Sequence, residues 1–257
     1  MSMPGVRAAY DRSAAAWRQG PEQVYARLAE ALLSVAPVPL AGARVLDVGA
    51  GTGVAAHAAL ARGAARAVAT DVSARMLQGR RTQVEAVVAD AGRLPFVEDS
   101  FDLASAAFCL GHVPDPLAVV REVRRVSSAF VASAFAPGPP HPVKTAIDAV
   151  FARAGFVTPE WYRHQKESLE TRVDDPAHLE RLARDAGFAA VEVRELQVDT
   201  GLSTAAEVVR WRVGMAHLAP FVAALGEAER ARATAEAEEA VAELLPVVLP
   251  ILALSAS

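Results

Sequence analysis

The sequence predicts an α/β fold built on a mainly parallel sheet, and three observations support this. Short apolar runs alternate with segments of helical periodicity, which is typical of βαβ units with right-handed crossovers. Residues 44–53 form an apolar strand and then place a glycine at every second position, before a helix-forming segment that ends at Gly63. A chain of 257 residues with 53% hydrophobic content can bury one large core, so we expect a single domain over residues 1–257.

The N-terminal part of the chain, residues 1–40, is expected to form a helical cap. Residues 21–36 carry apolar side chains at helical spacing and are followed by Pro37, which predicts a helix that packs on the core. Tyr10 and Trp17 lie seven residues apart and therefore share a helical face. They either anchor an N-terminal helix to the core or cover a site, and both interpretations stay open.

The middle of the chain supplies the predicted parallel strands. Strands two and three end at acids, Asp71 and Asp90, and Asp115 is predicted to cap a helix that begins at Pro116. After the strand that opens residues 44–53, the predicted strands cover residues 67–70, 84–89, 100–108 and 128–135.

The rest of the chain is expected to add two insertions on the substrate side. Residues 137–173 are rich in Pro and Gly and then in aromatic residues, which suggests a lid over a site. Residues 203–245 form the second insertion, with a capping box that begins at Thr204 and a charged helix over residues 226–243. A helix over residues 177–186 and strands over residues 189–198 and 247–255 complete the predicted elements.

The glycine loop and the acids at the strand ends identify the ligand. The loop reads G-x-G-x-G, and Val54 stands where the third glycine of a dinucleotide site would lie. Asp47, before the loop, would repel a pyrophosphate but favour an ammonium group. Asp71, 20 residues beyond the middle glycine, can accept both hydroxyls of a ribose, and Asp90 suits the exocyclic amine of an adenine. Adenosine joined to an amino acid is S-adenosylmethionine.

These motifs resemble those of class I S-adenosylmethionine-dependent methyltransferases, in particular the branch of ubiquinone and menaquinone biosynthesis enzymes and small-molecule tailoring enzymes. The resemblance covers roughly residues 10–198. It is carried by residues 45–53 (VLDVGAGTG), 69–73 (ATDVS), 89–91 (ADA), 94–96 (LPF), 100–102 (SFD) and 112–116 (HVPDP). It implies a Rossmann-like seven-stranded sheet of order 3-2-1-4-5-7-6 with strand 7 antiparallel, helices on both faces and a helical lid.

The resemblance also implies which residues bind the cofactor, mostly at the ends of strands one to four. Asp47 would support the loop or the amino group, Asp71 would bind the ribose, and Asp90 would read the adenine edge. The full implied set is Gly49, Ala50 and Gly51 at the methionine part and ribose, Val72, Met76 and Ala91 around the adenine, Ala107 and Phe108 at the methionine end, and Tyr10 and Trp17 as a cover, together with these three acids.

The expected reaction is an in-line displacement of the methyl group, which needs an oriented acceptor and exclusion of water but no metal. A general base would help a phenol or an acidic carbon by ~10²- to 10⁴-fold. His112, after strand four, is the candidate base; alternatively it fixes its loop or contacts the cofactor carboxylate. The aromatic residues of the predicted lid, Phe151, Trp161 and Tyr162, are the candidate contacts for a small apolar or aromatic acceptor.

Two other functions stay open at the level of sequence. An NAD-dependent oxidoreductase would use the same kind of loop, although the missing third glycine and Asp90 disfavour it. The second is a protein of the same fold that keeps the cofactor and transfers no methyl group, such as a regulatory binder or a cyclase. Turnover with a real acceptor would separate these functions.

Composition narrows the remaining possibilities. A net charge of -4 without a basic run argues against nucleic-acid binding. The single cysteine, Cys109, and the lack of a secretory h-region near the N-terminus favour a cytoplasmic protein. The apolar residues 244–254 are too few and too rich in proline to span a membrane. Lysine occurs only at Lys144 and Lys166, which suggests a GC-rich bacterial source. The sequence does not predict the oligomeric state.

Overall fold

The computed structural model describes residues 4–80 and 82–257, and its centre is one seven-stranded sheet. The strand order is β3-β2-β1-β4-β5-β7-β6, which confirms the order that the resemblance implied. The strands are β1 (Arg44–Val48), β2 (Arg66–Asp71), β3 (Glu85–Val88), β4 (Leu103–Ala107), β5 (Phe130–Phe135), β6 (Val191–Asp199) and β7 (Val248–Ala256). Residues 1–3 of the predicted cap lie outside the described residues.

Helices surround this sheet and connect its parallel strands. Among the described residues they are α1 (Pro4–Gln19), α2 (Pro21–Leu33), α3 (Val54–Ala61), α4 (Ala74–Leu77), α5 (Pro116–Val126), α6 (Pro142–Arg153), α7 (Glu160–His164), α8 (Pro176–Asp185), α9 (Ala205–Val213), α10 (Ala219–Ala224) and α11 (Glu227–Val241). None of the helices in this described part is long and apolar enough to cross a membrane. The predicted caps form at Asp115 and Thr204, and further caps form at Ser73 and Asp175; each side chain accepts a hydrogen bond from a backbone N–H of its helix.

The sheet topology places the predicted site at one edge. β1 pairs in parallel with both β2 and β4. On one side of β1 the sheet continues with β2 and β3, and on the other side with β4 and β5, so the strand order switches direction between β1 and β4. In open α/β sheets, ligands bind at the carboxyl ends of the strands beside such a switch point. The loops after β1, β2 and β4 therefore converge there, and α1 packs against α4, α9 and α10 on the same side.

The segment predicted as a lid, residues 137–173, is partly core. α6 places Val143, Ile147 and Phe151 on one face, and all three side chains are fully buried against α9 and α11. These residues are buried together because their i, i+4 spacing places them on the apolar face of an amphipathic helix, which begins at a proline. Phe151 is therefore a core residue rather than an acceptor contact. A lid role remains a prediction for residues 160–173.

Candidate active site

A cavity of about 660 Å³ opens at the carboxyl ends of β1, β2 and β4. Every residue that the sequence assigned to the cofactor or to base catalysis lines it. These residues are Tyr10, Trp17, Asp47, Gly49, Ala50, Gly51, Asp71, Val72, Met76, Asp90, Ala91, Ala107, Phe108 and His112. The strand-end positions converge because consecutive parallel strands end at the same edge of the sheet.

The glycine loop needs glycine for two separate reasons. Gly49 and Gly51 have φ angles of +64° and +56°, in the left-handed region that disfavours side chains. At Gly49 a Cβ would in addition collide with Sγ of Cys109, which packs directly against the loop. Cys109, 8% exposed, is therefore part of the structure that holds the loop. Burial raises the pKa of its thiol to about 12, which keeps the thiol protonated and unreactive.

Asp47 stabilises the glycine loop by hydrogen bonds to the neighbouring elements. Its side chain is 1% exposed, and it accepts hydrogen bonds from the backbone N–H of Ala56 at 3.0 Å and from the hydroxyl of Ser105 at 3.1 Å. These bonds join β1 to the first turn of α3 and to β4. Burial raises the pKa of Asp47 to about 7, although both hydrogen bonds oppose this shift.

Asp71 connects the glycine loop to the next helix. Its carboxylate accepts from the backbone N–H of Gly51 and from that of Ser73, each at 2.8 Å. A carboxylate offers about four lone-pair positions, so further acceptor capacity remains at the cavity wall. Burial raises the pKa of Asp71, with these backbone hydrogen bonds acting in the opposite direction. The side chain is therefore fixed in place before any ligand binds.

Beyond Asp71, the cavity is lined by the apolar residues Val72 and Met76 and by the acid Asp90. Met76 is 2% exposed, and Val72 lies beside it at the cavity wall. Asp90 follows β3 in a tight turn, in which its carboxylate accepts from the backbone N–H of Gly92 at 3.0 Å. Ala91 lies within that turn. This combination suits a flat heterocycle with an amine on its edge.

Helix α1 covers the opposite end of the cavity with aromatic rings. The ring centre of Trp17 lies 5.8 Å from that of Tyr10 and 4.8 Å from that of Tyr25. Tyr25 in turn packs edge-on against Phe108 at 5.4 Å. The side chain of Asp11 accepts a hydrogen bond from the Ser73 hydroxyl at 2.6 Å, which ties α1 to the loop after β2. The sequence did not single out Tyr25, because its neighbour Val24 dominates the apolar face of α2.

Phe108 has an unusual backbone. Its φ angle is +55°, which costs free energy for a residue with a side chain. The conformation is held by its backbone N–H, which donates to the carbonyl and the hydroxyl of Ser133 at 3.2 and 3.3 Å. It turns the ring from the end of β4 toward Tyr25 and Phe135. Strain of this kind is typical of functional sites.

His112 lies in a polar network with Gln165 and Glu170. The amide nitrogen of Gln165 donates to Glu170 at 2.9 Å and lies 3.4 Å from Nε2 of His112. Burial lowers the pKa of His112, so the ring is neutral at neutral pH. If the Gln165 amide donates to Nε2, the ring hydrogen lies on Nδ1, which is buried and has no hydrogen-bond partner among the described residues. In that tautomer Nδ1 would be a hydrogen-bond donor, and in the opposite one an acceptor, so the base role of His112 stays a prediction.

None of the three residues predicted to contact the acceptor lines this cavity. Phe151 is in the core, as described above. Trp161 packs beside Gly5 of α1, and Tyr162 stacks on His217 with ring centres 3.9 Å apart. The aromatic composition of this segment indicated a ligand wall, whereas the rings at the cavity are Tyr10, Trp17, Tyr25 and Phe108.

Comparison with known proteins agrees with this geometry. Residues 46–129 match a family model described as "Methyltransferase domain". The demethylmenaquinone methyltransferase of Clavibacter sepedonicus is 36% identical over 210 residues, which cover 74% of this chain and 82% of that protein.

Two solved structures have a similar fold. The phosphoethanolamine N-methyltransferase 2 of Haemonchus contortus, in complex with S-adenosylhomocysteine, superposes with a TM-score of 0.53 at 18% identity, over 88% of this chain and 51% of that chain. The [4+2]-cyclase SpnF superposes with a TM-score of 0.54 at 20% identity, over 90% of this chain and 81% of that chain. Since one is a cyclase, the fold alone does not separate methylation from cyclisation.

The chain belongs to the class I S-adenosylmethionine-dependent methyltransferases. Within this class it is of the quinone-biosynthesis type, as its 36% identity to the Clavibacter enzyme shows. It is therefore an enzyme, and S-adenosylmethionine is its cofactor, so the oxidoreductase and the non-methylating alternatives are set aside. The site residues fit this cofactor, because the fixed Asp71 carboxylate keeps acceptor capacity for two ribose hydroxyls and the glycine loop leaves backbone accessible beside it.

Proposed function

We propose that this enzyme transfers the methyl group of S-adenosylmethionine to an oxygen or carbon atom of a small aromatic acceptor. The observation that carries this proposal is the aromatic wall of Trp17, Tyr25 and Phe108 at the methionine end of the cavity. Aromatic rings in such a wall pack edge-to-face or stacked against an aromatic ligand. These contacts contribute more binding free energy than the burial of their surface area alone. The similarity to the demethylmenaquinone methyltransferase of Clavibacter sepedonicus supports an acceptor of this kind.

The proposed cofactor contacts follow from the cavity wall. Asp71 would hold the ribose, and Asp90 with Ala91 would face the adenine edge. Val72 and Met76 would pack on the two faces of the base, and the backbone of Gly49 and Gly51 would lie against the methionine part. When bound, S-adenosylmethionine supplies an electrophilic methyl group on a sulfonium.

The protein's own contribution to the reaction is orientation and exclusion of water. The aromatic wall fixes the plane of the acceptor, so that its nucleophilic atom approaches in line. Helix α1, which the hydrogen bond between Asp11 and Ser73 ties to the loop after β2, covers part of the cavity and would limit the access of water. In the tautomer with its hydrogen on Nδ1, His112 would donate to an oxygen of the acceptor or to the cofactor carboxylate; the general base predicted from sequence is the alternative role.

The test is turnover with a matched pair of acceptors. The enzyme is incubated with S-adenosylmethionine and either 1,4-naphthohydroquinone, kept reduced, or 1,4-cyclohexanediol, and mass spectrometry follows S-adenosylhomocysteine and the methylated product. We expect one added methyl group on the aromatic compound only. Methyl transfer to the saturated diol would contradict the proposal. So would the absence of transfer to every member of a panel of phenols, hydroquinones and naphthols. A cytoplasmic location, predicted from the single cysteine, stays a prediction.

A further inference from the structure

Lys144 lies in an aromatic environment next to the active-site wall. It belongs to the first turn of α6 and is one of only two lysines in a chain that otherwise uses arginine. Its Nζ lies 4.3 Å from the ring centre of Phe135 and 5.7 Å from that of Trp211. The side chain is partly exposed and lies beyond the residues that line the cofactor cavity.

The carboxylates near Lys144 already have other partners. Asp148 accepts from the guanidinium of Arg212, with Nε and Oδ1 2.8 Å apart. Glu170 accepts from both Lys166 and Gln165. Lys144 forms no ion pair with any carboxylate of the described residues, although Asp148 and Glu170 act on it at longer range. Burial, followed by the charges of Arg212 and Lys166, lowers the pKa of its amine to about 8.

Lys144 and the polar groups around it have unused hydrogen-bonding capacity. An ammonium group has three N–H donors and no acceptor, and the ring faces of Phe135 and Trp211 replace only part of its hydration. The indole N–H of Trp211, which is 2% exposed, has no hydrogen-bond partner among the described residues. Nε2 of the nearby His217 is likewise unpartnered within that part of the chain. Such a group is most stable when an anion supplies acceptor oxygens.

The position of Phe135 connects Lys144 to the cofactor cavity. The ring of Phe135 lies 4.6 Å from that of Phe108, which lines the cavity. An aromatic acceptor that packs along these rings would direct its far end toward Lys144.

We propose that Lys144 binds an anionic oxygen group, a carboxylate or an ionised hydroxyl, on the aromatic acceptor. This inference rests on the proposed function, since it assumes an aromatic acceptor at Phe108. Lys144 would thereby select charged acceptors over neutral ones of the same shape.

Two pairs of probes test this with the enzyme saturated with S-adenosylhomocysteine. The first pair is 2-naphthoate and 2-naphthamide, which differ in charge but hardly in shape. The second is 4-nitrophenolate and 4-nitroanisole, at pH 8. We expect the anion of at least one pair to bind about tenfold or more tightly than its neutral partner, since charge-assisted hydrogen bonds are about twice as strong as neutral ones. The pair that shows the preference identifies the kind of anion.

Variants of the two lysines provide matched controls. Lys144→Met should abolish the preference and Lys144→Arg should keep part of it, while Lys166→Met should leave the preference in place. Acetylation of the wild-type enzyme, followed by mass spectrometry, adds an independent readout. The preferred anion should protect Lys144 and not Lys166. Unchanged S-adenosylhomocysteine affinity in each variant confirms that it is folded.

The outcomes separate the two proposals. Equal affinity within both pairs, no binding of any of the four compounds, or a preference that survives Lys144→Met would overturn the assignment of Lys144. The methyl transfer itself would stand in these cases if 1,4-naphthohydroquinone is still methylated. Absence of turnover on every aromatic compound, with charge preference at Lys144 intact, would instead contradict the proposed function.

Discussion

Asp71 determines how tightly the cofactor can bind, because one side chain fixes both the glycine loop and the ribose position. Replacing it with alanine leaves the N–H groups of Gly51 and Ser73 without their acceptor and removes the proposed ribose contact. We expect Asp71→Ala to weaken binding of S-adenosylhomocysteine by ~1–3 kcal/mol, the usual cost of leaving buried polar groups unpaired. Isothermal titration calorimetry measures this change.

The control for Asp71 is a carboxylate with no role in the cavity. Glu85 forms an ion pair with Arg66, and both side chains are more than half exposed. Glu85→Ala changes the net charge by the same amount and should not alter the affinity measurably. Equal affinities for Asp71→Ala and the wild-type enzyme would refute the ribose role.

The contact between Gln165 and His112 predicts a ring hydrogen on Nδ1, and one substitution should reverse this tautomer. In Gln165→Glu a carboxylate faces Nε2, so the ring hydrogen should move from Nδ1 to Nε2. An adjacent negative charge favours the protonated ring, so the pKa of His112 should rise relative to the wild-type enzyme, where burial lowers it. The side-chain ¹H–¹⁵N NMR spectrum, recorded against pH, reports both changes.

A merely structural role of Gln165 would not produce this pattern. The exposed Gln23→Glu on α2 adds the same charge and should leave the His112 resonances unchanged. An Nε2–H tautomer in the wild-type enzyme would show that the donor role of His112 is wrong and would restore the general base as the better hypothesis.

At the scale of secondary-structure elements, α1 is the cover of the cavity. It contributes Tyr10 and Trp17 to the wall, and its link to the body of the site includes the hydrogen bond between Asp11 and Ser73. A cover that must open to admit the cofactor should be among the less stable parts of the fold. Cofactor binding and opening of α1 are then coupled.

Limited proteolysis tests this coupling, because Arg12 and Arg18 are exposed trypsin sites on α1. Saturation with S-adenosylhomocysteine at 100 times its dissociation constant should slow cleavage at these sites by up to ~100-fold, if opening requires release of the ligand. Arg230 and Arg232 on α11, which lies away from the cavity, provide the internal control. Equal slowing at both helices would indicate global stabilisation, and no slowing at α1 would contradict its role as a cover.

At the scale of the whole molecule, the sequence predicts the parts of the site that follow from short local motifs. The glycine spacing and the acids at Asp71 and Asp90 mark strand ends, and parallel topology brings strand ends together. The sequence prediction was wrong for Phe151, because the aromatic composition of residues 137–173 hides the helical spacing of Val143 and Ile147. Contacts between distant segments, such as that of Gln165 with His112, depend on tertiary packing and leave no local signal.

The C-terminal strand β7 holds the two halves of the core together. It pairs antiparallel with both β5 and β6, and β6 joins the sheet only through it. Leu252 and Leu254 belong to one hydrophobic cluster and Leu249 and Ile251 to another, because successive residues of a strand point to opposite faces. β7 therefore stabilises a site to which it contributes no lining residue.

Truncation tests this long-range dependence. A chain that ends at Leu245 loses the partner of β6 and exposes both clusters, so we expect it to lack a cooperative thermal transition in far-UV circular dichroism and to bind no S-adenosylhomocysteine. A chain that lacks only Ser257 should melt cooperatively and bind as the wild-type chain does. If the shorter chain still melted cooperatively and bound the ligand, the cofactor half would have to fold on β1 to β5 alone, and the core would consist of two independent parts rather than one joined by β7.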